Sequence, residues 1–347
     1  MSILSKPENI RIDFILGATR SGTTLLSNIL NNHKNCVSSS EIKHLLLFHK
    51  KYHAMKEVTA ALLKDVEYYK AIMEQASEHS YANSTFKIEL GEKLSYFEFC
   101  KRVYFTSAPP NKSLHEVTRI VDKNPFYTLQ ADKLISILPD TRFICAVRDY
   151  RSFVLSNMQS VEPFAKKVSV KNYSIIWMFY NKLVLEIQDK YPENTLIVPY
   201  EKLAANKEQT FQEIFRFLDI AYDADCFNYQ ENLIYKKEKE KYNDERYSYK
   251  KDSLLKPVNT DRLNAWEGFF TNFQLKTMDF WCSKTGNKLG YKKTTNATFI
   301  ESIAILAISV PYYIRAFVYF KLKSIKLNFY LNEGRRARYF QSIHKQG

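Results

Sequence analysis

The sequence predicts an α/β fold in which a central parallel sheet lies between two layers of helices, followed by a C-terminal helical tail. Short apolar runs that end at turn residues alternate with helical patterns from about residue 10 to residue 200, and this alternation is typical of a parallel sheet. Residues 143–147 (FICAV) are apolar at every position, as expected for a strand that is buried on both faces. A chain of 347 residues with 45% hydrophobic content is large enough for such a core.

The individual elements follow from the positions of apolar residues, glycines and prolines. The predicted strands are extended or apolar runs bounded by turn residues, at 10–16, 36–40, 119–121, 143–147 and 195–200. The predicted helices are a first helix that includes residues 25–30, and then 41–51, 56–78, 126–138, 149–158, 173–191, 261–267 and 273–284. Pro125 suits the first turn of its helix, whereas residues 86–114 favour no single element.

The formal net charge of +14 predicts anionic partners, namely a nucleotide with several phosphates, an acidic acceptor or an anionic membrane surface. A lysine-rich, solvated exterior is the alternative explanation for much of this charge. No basic stretch is interleaved with aromatic residues, so we expect no nucleic-acid partner.

The five cysteines are scattered, and the sequence has no C-x-x-C motif or Cys/His cluster. We therefore expect neither a metal cofactor nor a disulfide framework, and this cysteine usage fits a reducing compartment. Residues 1–9 are polar and lack the apolar stretch of a signal peptide. We expect a cytoplasmic protein, with peripheral binding at the inner membrane face as an open alternative.

Gly17 and Gly22 flank a tight loop between the first strand and the first helix. Their spacing copies the glycine frame of a Walker A loop, but Thr23 stands where that loop has its lysine. The backbone N–H groups of such a loop and the positive end of the helix suit a phosphate. Because the lysine is missing and Arg20 lies in the loop, we expect a terminal 5′-phosphate of a nucleotide rather than a triphosphate. An ordinary strand-to-helix turn is the alternative.

Arg20, Lys123 and Arg148 each follow a predicted strand. Ligands of open α/β sheets collect at the carboxyl ends of the strands. We therefore expect these three cationic side chains to lie at one edge of the sheet and to form a single polyanion site.

Residues 20–26 (RSGTTLL) resemble the 5′-phosphosulfate loop of sulfotransferases that use 3′-phosphoadenosine 5′-phosphosulfate (PAPS). Residues 142–156 resemble the 3′-phosphate segment of the same family. Two more stretches, 122–125 (DKNP) and 200–203 (YEKL), are similar to recurring stretches of that family. The resemblance covers roughly residues 10–291.

This resemblance implies a P-loop NTPase-like three-layer sandwich, with a sulfotransferase domain over residues 1–295 and a basic, apolar helical tail over residues 296–347. It implies an enzyme of the EC 2.8.2 type, which transfers sulfonate from PAPS to a hydroxyl or amine without a metal. A carbohydrate, a glycolipid and a peptide are the expected acceptors. Two other functions stay open: a P-loop-like nucleotide kinase, against which Thr23 argues, and a non-catalytic, membrane-associated nucleotide-binding protein.

The resemblance assigns catalysis to Glu41 and Lys123. Glu41 stands where protein-tyrosine sulfotransferases place their catalytic glutamate relative to the Arg20 loop, and we expect it to take the acceptor proton. Alternatively, Glu41 is an acidic residue in the first turn of a helix that the serines at 38–40 cap, and His44 is then the fallback base. Lys123 is expected to neutralise the oxygen that bridges sulfur and phosphorus.

The other site residues are expected to bind PAPS. They are Arg20, Ser21, Gly22, Thr23 and Thr24 for the 5′-phosphosulfate, Arg148 and Ser156 for the 3′-phosphate, and Lys256. Arg148 carries a planar guanidinium that suits phosphate, and Ser156 follows it at the spacing of the family. Lys256 is similar to a late cofactor-binding lysine of the tyrosine-sulfating relatives.

Residues 299–320 are largely apolar but contain Glu301, Pro311 and Arg315, which makes them a poor transmembrane span. One interpretation is an interfacial helix whose following basic residues bind anionic lipid. The alternative, which we favour, is a helix that packs on the domain or on another subunit of a homo-oligomer.

Overall fold

The part of the chain that the structure describes contains the predicted parallel sheet, with five strands. The computed structural model describes residues 10–75, 88–109, 112–161, 169–231, 260 and 262–326. The strands are β1 (Arg11–Gly17), β2 (Cys36–Ser40), β3 (Arg119–Lys123), β4 (Phe143–Val147) and β5 (Thr195–Pro199). They lie in the order β2-β3-β1-β4-β5, and every neighbouring pair is parallel.

Helices connect the strands and continue beyond the last one. They are α1 (Thr23–Asn32), α2 (His44–Tyr52), α3 (Ala60–Gln75), α4 (Tyr96–Phe105), α5 (Ala131–Ile137), α6 (Tyr150–Val161), α7 (Val170–Lys190), α8 (Tyr200–Ala205), α9 (Lys207–Phe217), α10 (Asn272–Lys288) and α11 (Phe299–Lys326).

Side chains on β1 alternate between two apolar cores, one on each face of the sheet. Phe14 and Leu16 pack into one core, to which α2, α4, α6 and α7 contribute. Ile15 packs into the other core, to which α1 and α9 contribute. Because both faces of the sheet are covered, the fold is the predicted three-layer sandwich.

Three predicted elements differ in the structure. Helix α2 begins at His44 rather than at residue 41, because Glu41 has a φ of 60°, which a right-handed helix does not accommodate. The predicted helix 126–138 is a 3-10 helix, Pro125–Gln130, that leads into α5. The described residues of the predicted helix 261–267 form turns. Residues 86–114, for which the sequence favoured no single element, contain α4.

Helix α11 packs on α10 through an ion pair between Lys276 Nζ and Glu301 Oε1 (2.6 Å) and through stacked rings of Trp281 and Tyr313. The apolar stretch of the tail is therefore a long helix in contact with the domain. The division of the chain at residues 295/296 stays a prediction.

Gly17 ends β1 beside Ala146 of β4. Its φ is 111°, and an added Cβ would lie 2.2 Å from the carbonyl oxygen of Ala146. That oxygen belongs to a paired strand and has no room to move, so both the torsion and the contact require glycine.

We predict that Gly17→Ala destabilises the protein more than Gly91→Ala. Gly91 also has a positive φ (80°), but no described atom lies within 4 Å of its added Cβ, so it isolates the torsional cost of about 1 kcal/mol. The clash at Gly17 should add about 2 kcal/mol or more. Urea denaturation followed by tryptophan fluorescence measures both values, and equal losses would contradict the steric argument.

Candidate active site

The loop after β1 is shaped by three residues with positive φ, namely Gly17 (111°), Arg20 (69°) and Gly22 (90°). The N–H of Gly17 donates a hydrogen bond to Thr128 Oγ1 (2.8 Å). An added Cβ on Gly22 would lie 2.7 Å from Cδ2 of Tyr200. Glycine at position 22 therefore allows α1 to begin directly against the residue that follows β5.

The amino end of α1 has the features of an anion site. Gly22 provides no side-chain cap, and the first turn of α1 contains no acidic residue. Ser21 and Thr23 are buried and Thr24 is half-buried. The buried Oγ of Ser21 has no hydrogen-bond partner among the residues that the structure describes. Such a hydroxyl at a positive helix end can donate to an anion.

Arg148, Arg20 and Ser156 contact one another although they come from different elements. Arg148 Nη1 donates to the carbonyl oxygen of Arg20 (3.1 Å). Arg20 Nε donates to Ser156 Oγ on α6 (3.2 Å). The structure thus brings the loop after β1 and the segment after β4 together, as the sequence predicts.

Arg148 is held in place by its surroundings on several sides. Its guanidinium lies 4.4 Å from the ring centroid of Tyr200, and its Nη2 donates to the carbonyl oxygen of Arg262 (3.3 Å). Trp177 Nε1 donates to the carbonyl oxygen of Arg148 itself (2.7 Å). Burial lowers the pKa of Arg148, and its buried Nε has no partner among the described residues. The site therefore presents a preorganised, incompletely hydrogen-bonded cation.

Glu41 and Lys123 form an ion pair at the ends of neighbouring strands. The N–H of Glu41 donates to the carbonyl oxygen of Lys123 (2.8 Å), and Lys123 Nζ donates to Glu41 Oε1 (2.8 Å). The Lys123 side chain is 8% exposed, whereas that of Glu41 is 44% exposed. Glu41 does not lie in the first turn of α2, because its φ is positive and the serines at 38–40 end β2. That structural alternative for Glu41 is therefore wrong, and its carboxylate can meet a ligand from solvent.

Asp122 anchors the strand residue next to Lys123. Its carboxylate accepts hydrogen bonds from Ser39 Oγ (3.2 Å) and Tyr104 OH (3.3 Å), and burial raises its pKa to about 7. Asn124, on the other side of Lys123, donates to the carbonyl oxygen of Ile42 (3.3 Å). Side chains on both sides of Lys123 thus fix the backbone from which it extends.

His44, the fallback base, differs from Glu41 in its surroundings, which are aromatic. His44 is buried, and its ring lies 5.3 Å from that of Phe48 and 5.2 Å from that of Tyr69. It is therefore part of an aromatic cluster rather than of an accessible site. Burial, and secondly the charge of Glu41, raise the pKa of Tyr180 of α7 to about 12.

The contacts among Arg20, Arg148 and Ser156 and the Glu41–Lys123 ion pair lie at the same edge of the sheet, where the parallel strands have their carboxyl ends. Strand β1 lies between β3 and β4, and the N–H of Asn124, just after β3, donates to the carbonyl oxygen of Ile15 (2.9 Å). This edge holds Arg20, Lys123 and Arg148, as the strand-end argument predicts. Lys256 lies outside the described residues.

Sequence reasoning included Tyr200 in the recurring stretch at residues 200–203 but gave it no role, and it missed Thr128 and Arg262. Tyr200 follows β5 directly, so the strand-end argument could have located it at this edge. Thr128 and Arg262 have no such signal, because their contacts with Gly17 and Arg148 join residues more than a hundred positions apart.

Within the described ranges, no group of three or more His, Cys, Asp or Glu side chains could hold a metal ion.

Comparisons with known proteins identify relatives of this chain. The model of the sulfotransferase family matches residues 14–224. The chain is 22% identical over 266 residues to a protein-tyrosine sulfotransferase of Drosophila melanogaster, covering 74% of this chain and 46% of that protein. It is 28% identical over 187 residues to protein-tyrosine sulfotransferase A of Caenorhabditis elegans, covering 51% and 46%. The chain thus spans about half the length of the curated relatives it matches.

The fold is also similar to that of a solved protein, the sulfotransferase domain from the curacin biosynthetic pathway. The TM-score is 0.50 at 18% sequence identity, and the match covers 82% of this chain and 99% of that domain. The family match extends over more than half of the chain and includes the Arg20 loop, Lys123 and Arg148. The chain therefore belongs to the sulfotransferase family.

Proposed function

We propose that the protein transfers the sulfonate group of PAPS to a hydroxyl or amine of an acceptor. The observation that carries this proposal is the Glu41–Lys123 ion pair, which lies at the same sheet edge as the contacts among Arg20, Arg148 and Ser156. A base, an acid and an anion site are the three parts that sulfonate transfer requires.

The two phosphate groups of PAPS fit two neighbouring parts of this edge. The loop at residues 20–24 and the amino end of α1 would bind the 5′-phosphosulfate, through backbone N–H groups and the hydroxyl of Ser21. Arg148 and Ser156 would bind the 3′-phosphate, since Arg148 retains an unused Nε donor. Arg20 lies in the loop proposed for the 5′-phosphosulfate, and its Nε donates to Ser156 Oγ, which supports a role for its charge near both phosphates. Lys256 stays a proposed additional contact.

The proposed chemical step is an in-line displacement at sulfur. The acceptor oxygen forms a bond to sulfur while its proton passes to the carboxylate of Glu41. The bond between sulfur and the bridging oxygen breaks, and its electron pair stays on the 5′-phosphate of the leaving adenosine 3′,5′-bisphosphate. Lys123 Nζ neutralises that oxygen, so binding of PAPS would separate Lys123 from Glu41. Lys123 and the helix end supply the positive charge for this step, and the proposal includes no metal.

Thr23 supports this function over phosphoryl transfer. A Walker A lysine holds the β- and γ-phosphates of ATP, and Thr23 takes its place here.

We also propose a cytoplasmic location. All five cysteines are buried and free, which supports a reducing compartment.

We predict that Arg148→Lys weakens the binding of adenosine 3′,5′-bisphosphate about 10- to 100-fold, as measured by titration calorimetry. Lysine keeps the charge but loses the planar donors, and a hydrogen bond to a charged group contributes about 1.5–3 kcal/mol. Arg216→Lys, at an exposed position on α9, is the control and should bind like the wild type.

The same titration tests the alternative kinase function. Adenosine 3′,5′-bisphosphate should bind more tightly than ATP with magnesium, because the site contains no Walker A lysine. Tighter binding of ATP would overturn the proposed co-substrate.

We predict that Glu41→Gln lowers the rate of sulfonate transfer about 10²- to 10⁴-fold, because the acceptor proton loses its base. Binding of adenosine 3′,5′-bisphosphate should stay within a few-fold of the wild-type value. The assay is transfer from radiolabelled PAPS to a fractionated extract of the source cell. Glu67→Gln, at an exposed position on α3, is the matched control. Unchanged transfer by Glu41→Gln would exclude Glu41 as the base.

A further inference from the structure

Helix α11 exposes an apolar face of unusual size. Among the described residues, one helical stretch, Phe299–Leu322, is long and apolar enough to cross a membrane. Its largest exposed side chains include Ile300, Ile303 and Ile314, which are 79%, 54% and 55% exposed. Soluble proteins rarely expose contiguous apolar surface of this kind, and large patches mark interaction sites.

The apolar side chains of α11 are not confined to the side that packs on the domain. The narrow stripe that packs on the domain includes the buried Ile305, Ser309 and Ala316 and the half-buried Glu301. Ser309 is fully buried, and its Oγ has no hydrogen-bond partner among the described residues. The opposite side carries Ile300, Ile303 and Ile314, which by helical spacing lie together. A surface helix in water turns its apolar side inward, so the outer face of α11 fits an apolar medium.

Contacts at both ends hold α11 lengthwise against the domain. At its beginning, Glu301 pairs with Lys276 of α10 (2.6 Å). Near its end, the ring of Phe320 lies 5.0 Å from both Phe179 and Tyr180 of α7. A helix that crosses a bilayer would carry these contacts, and the domain with them, into the hydrocarbon. The contacts therefore favour a helix that lies flat in the membrane surface.

The sequence from the end of this face onward is basic. The residues from 321 to the end of the sequence include Lys321, Lys323, Lys326, Arg335, Arg336, Arg338 and Lys345, against one acidic residue, Glu333. Clusters of basic residues beside an interfacial helix are attracted to anionic lipid headgroups at about 1 kcal/mol each near the surface. The charge therefore favours an anionic bilayer over a second copy of the same basic chain.

The end of α11 is also close to the candidate active site. Phe320 packs edge-to-face on Tyr180 (5.0 Å), and burial, with the charge of Glu41 as a second cause, raises the pKa of Tyr180. Helix α11 also contacts the 3-10 helix Pro125–Gln130, which begins two residues after Lys123. A protein that lies on a bilayer through α11 would hold Glu41 near the lipid headgroups.

We propose that α11 docks flat on an anionic bilayer through the face formed by Ile300, Ile303 and Ile314, and that the acceptor is a hydroxyl carried by a membrane lipid. The geometry and charge of α11 support the docking surface. The acceptor class rests on the proposed sulfonate transfer, and the two parts are tested separately.

Flotation of the full chain with vesicles tests the docking surface. Wild-type protein should float with vesicles of phosphatidylcholine and phosphatidylserine, and much less with phosphatidylcholine alone or at high salt. The triple variant Ile300→Gln/Ile303→Gln/Ile314→Gln should lose at least about tenfold in partition, because each isoleucine contributes apolar burial. Leu90→Gln, at an exposed leucine before α4, is the control and should float like the wild type.

All three isoleucines are exposed, so the triple variant should still fold and bind adenosine 3′,5′-bisphosphate with an unchanged thermal shift. Absence of wild-type flotation would overturn the docking surface. A dimer in sedimentation that the triple variant dissociates would assign the face to a second copy and would likewise overturn it.

Transfer from radiolabelled PAPS tests the acceptor class. The wild type, added to anionic vesicles that contain a lipid extract of the source cell, should place label in the organic phase, and the triple variant at least about tenfold less. Label only in water-soluble products of the whole extract would overturn the lipid acceptor while leaving sulfonate transfer intact. Failure to bind adenosine 3′,5′-bisphosphate would overturn the proposed function and the acceptor class with it, whereas flotation would still report on the docking surface.

Discussion

The site depends on the parallel register of three strands, β3, β1 and β4. In this register, Lys123 lies beside Ile15, and Ala146 lies beside Gly17. The chain leaves all three strands at the same edge, so their following residues share one small space. The loop of β1 can approach β4 this closely only because Gly17 has no Cβ. Without that approach, Arg148 could not reach the carbonyl oxygen of Arg20.

Burial of Arg148 is an electrostatic cost at this edge. A buried guanidinium loses its hydration, and the lowered pKa of Arg148 reflects that loss. Two backbone carbonyls and the ring of Tyr200 offset part of the cost, because they orient dipoles and a π-face toward the cation. A bound phosphate would satisfy the remaining donor, so an anion should stabilise the folded protein as well as occupy its site.

Helix α11 contacts α7 and the 3-10 helix that follows Lys123, and its outer side is exposed. The helix packs on the domain along a narrow stripe and exposes a broad apolar face, and Phe320 near its end packs on Tyr180 of α7. In a P-loop-like fold the co-substrate edge is fixed by the strands, whereas the acceptor side is built from other elements. Under the proposed function, α11 would be one of those elements.

The sequence by itself determined the parallel sheet, the loop at residues 17–22 and the edge that gathers Arg20, Lys123 and Arg148. These features depend on local patterns: apolar strand runs, glycine spacing and the position of a cation after a strand. Only the tertiary structure decided the Glu41–Lys123 pair, the burial of His44 among aromatic rings and the ring of Tyr200 under Arg148. It also decided which side of α11 faces the domain. Each of these features either joins residues that are far apart in the chain or depends on a backbone torsion such as the positive φ of Glu41. The periodicity of a single segment encodes neither a long-range contact nor such a torsion.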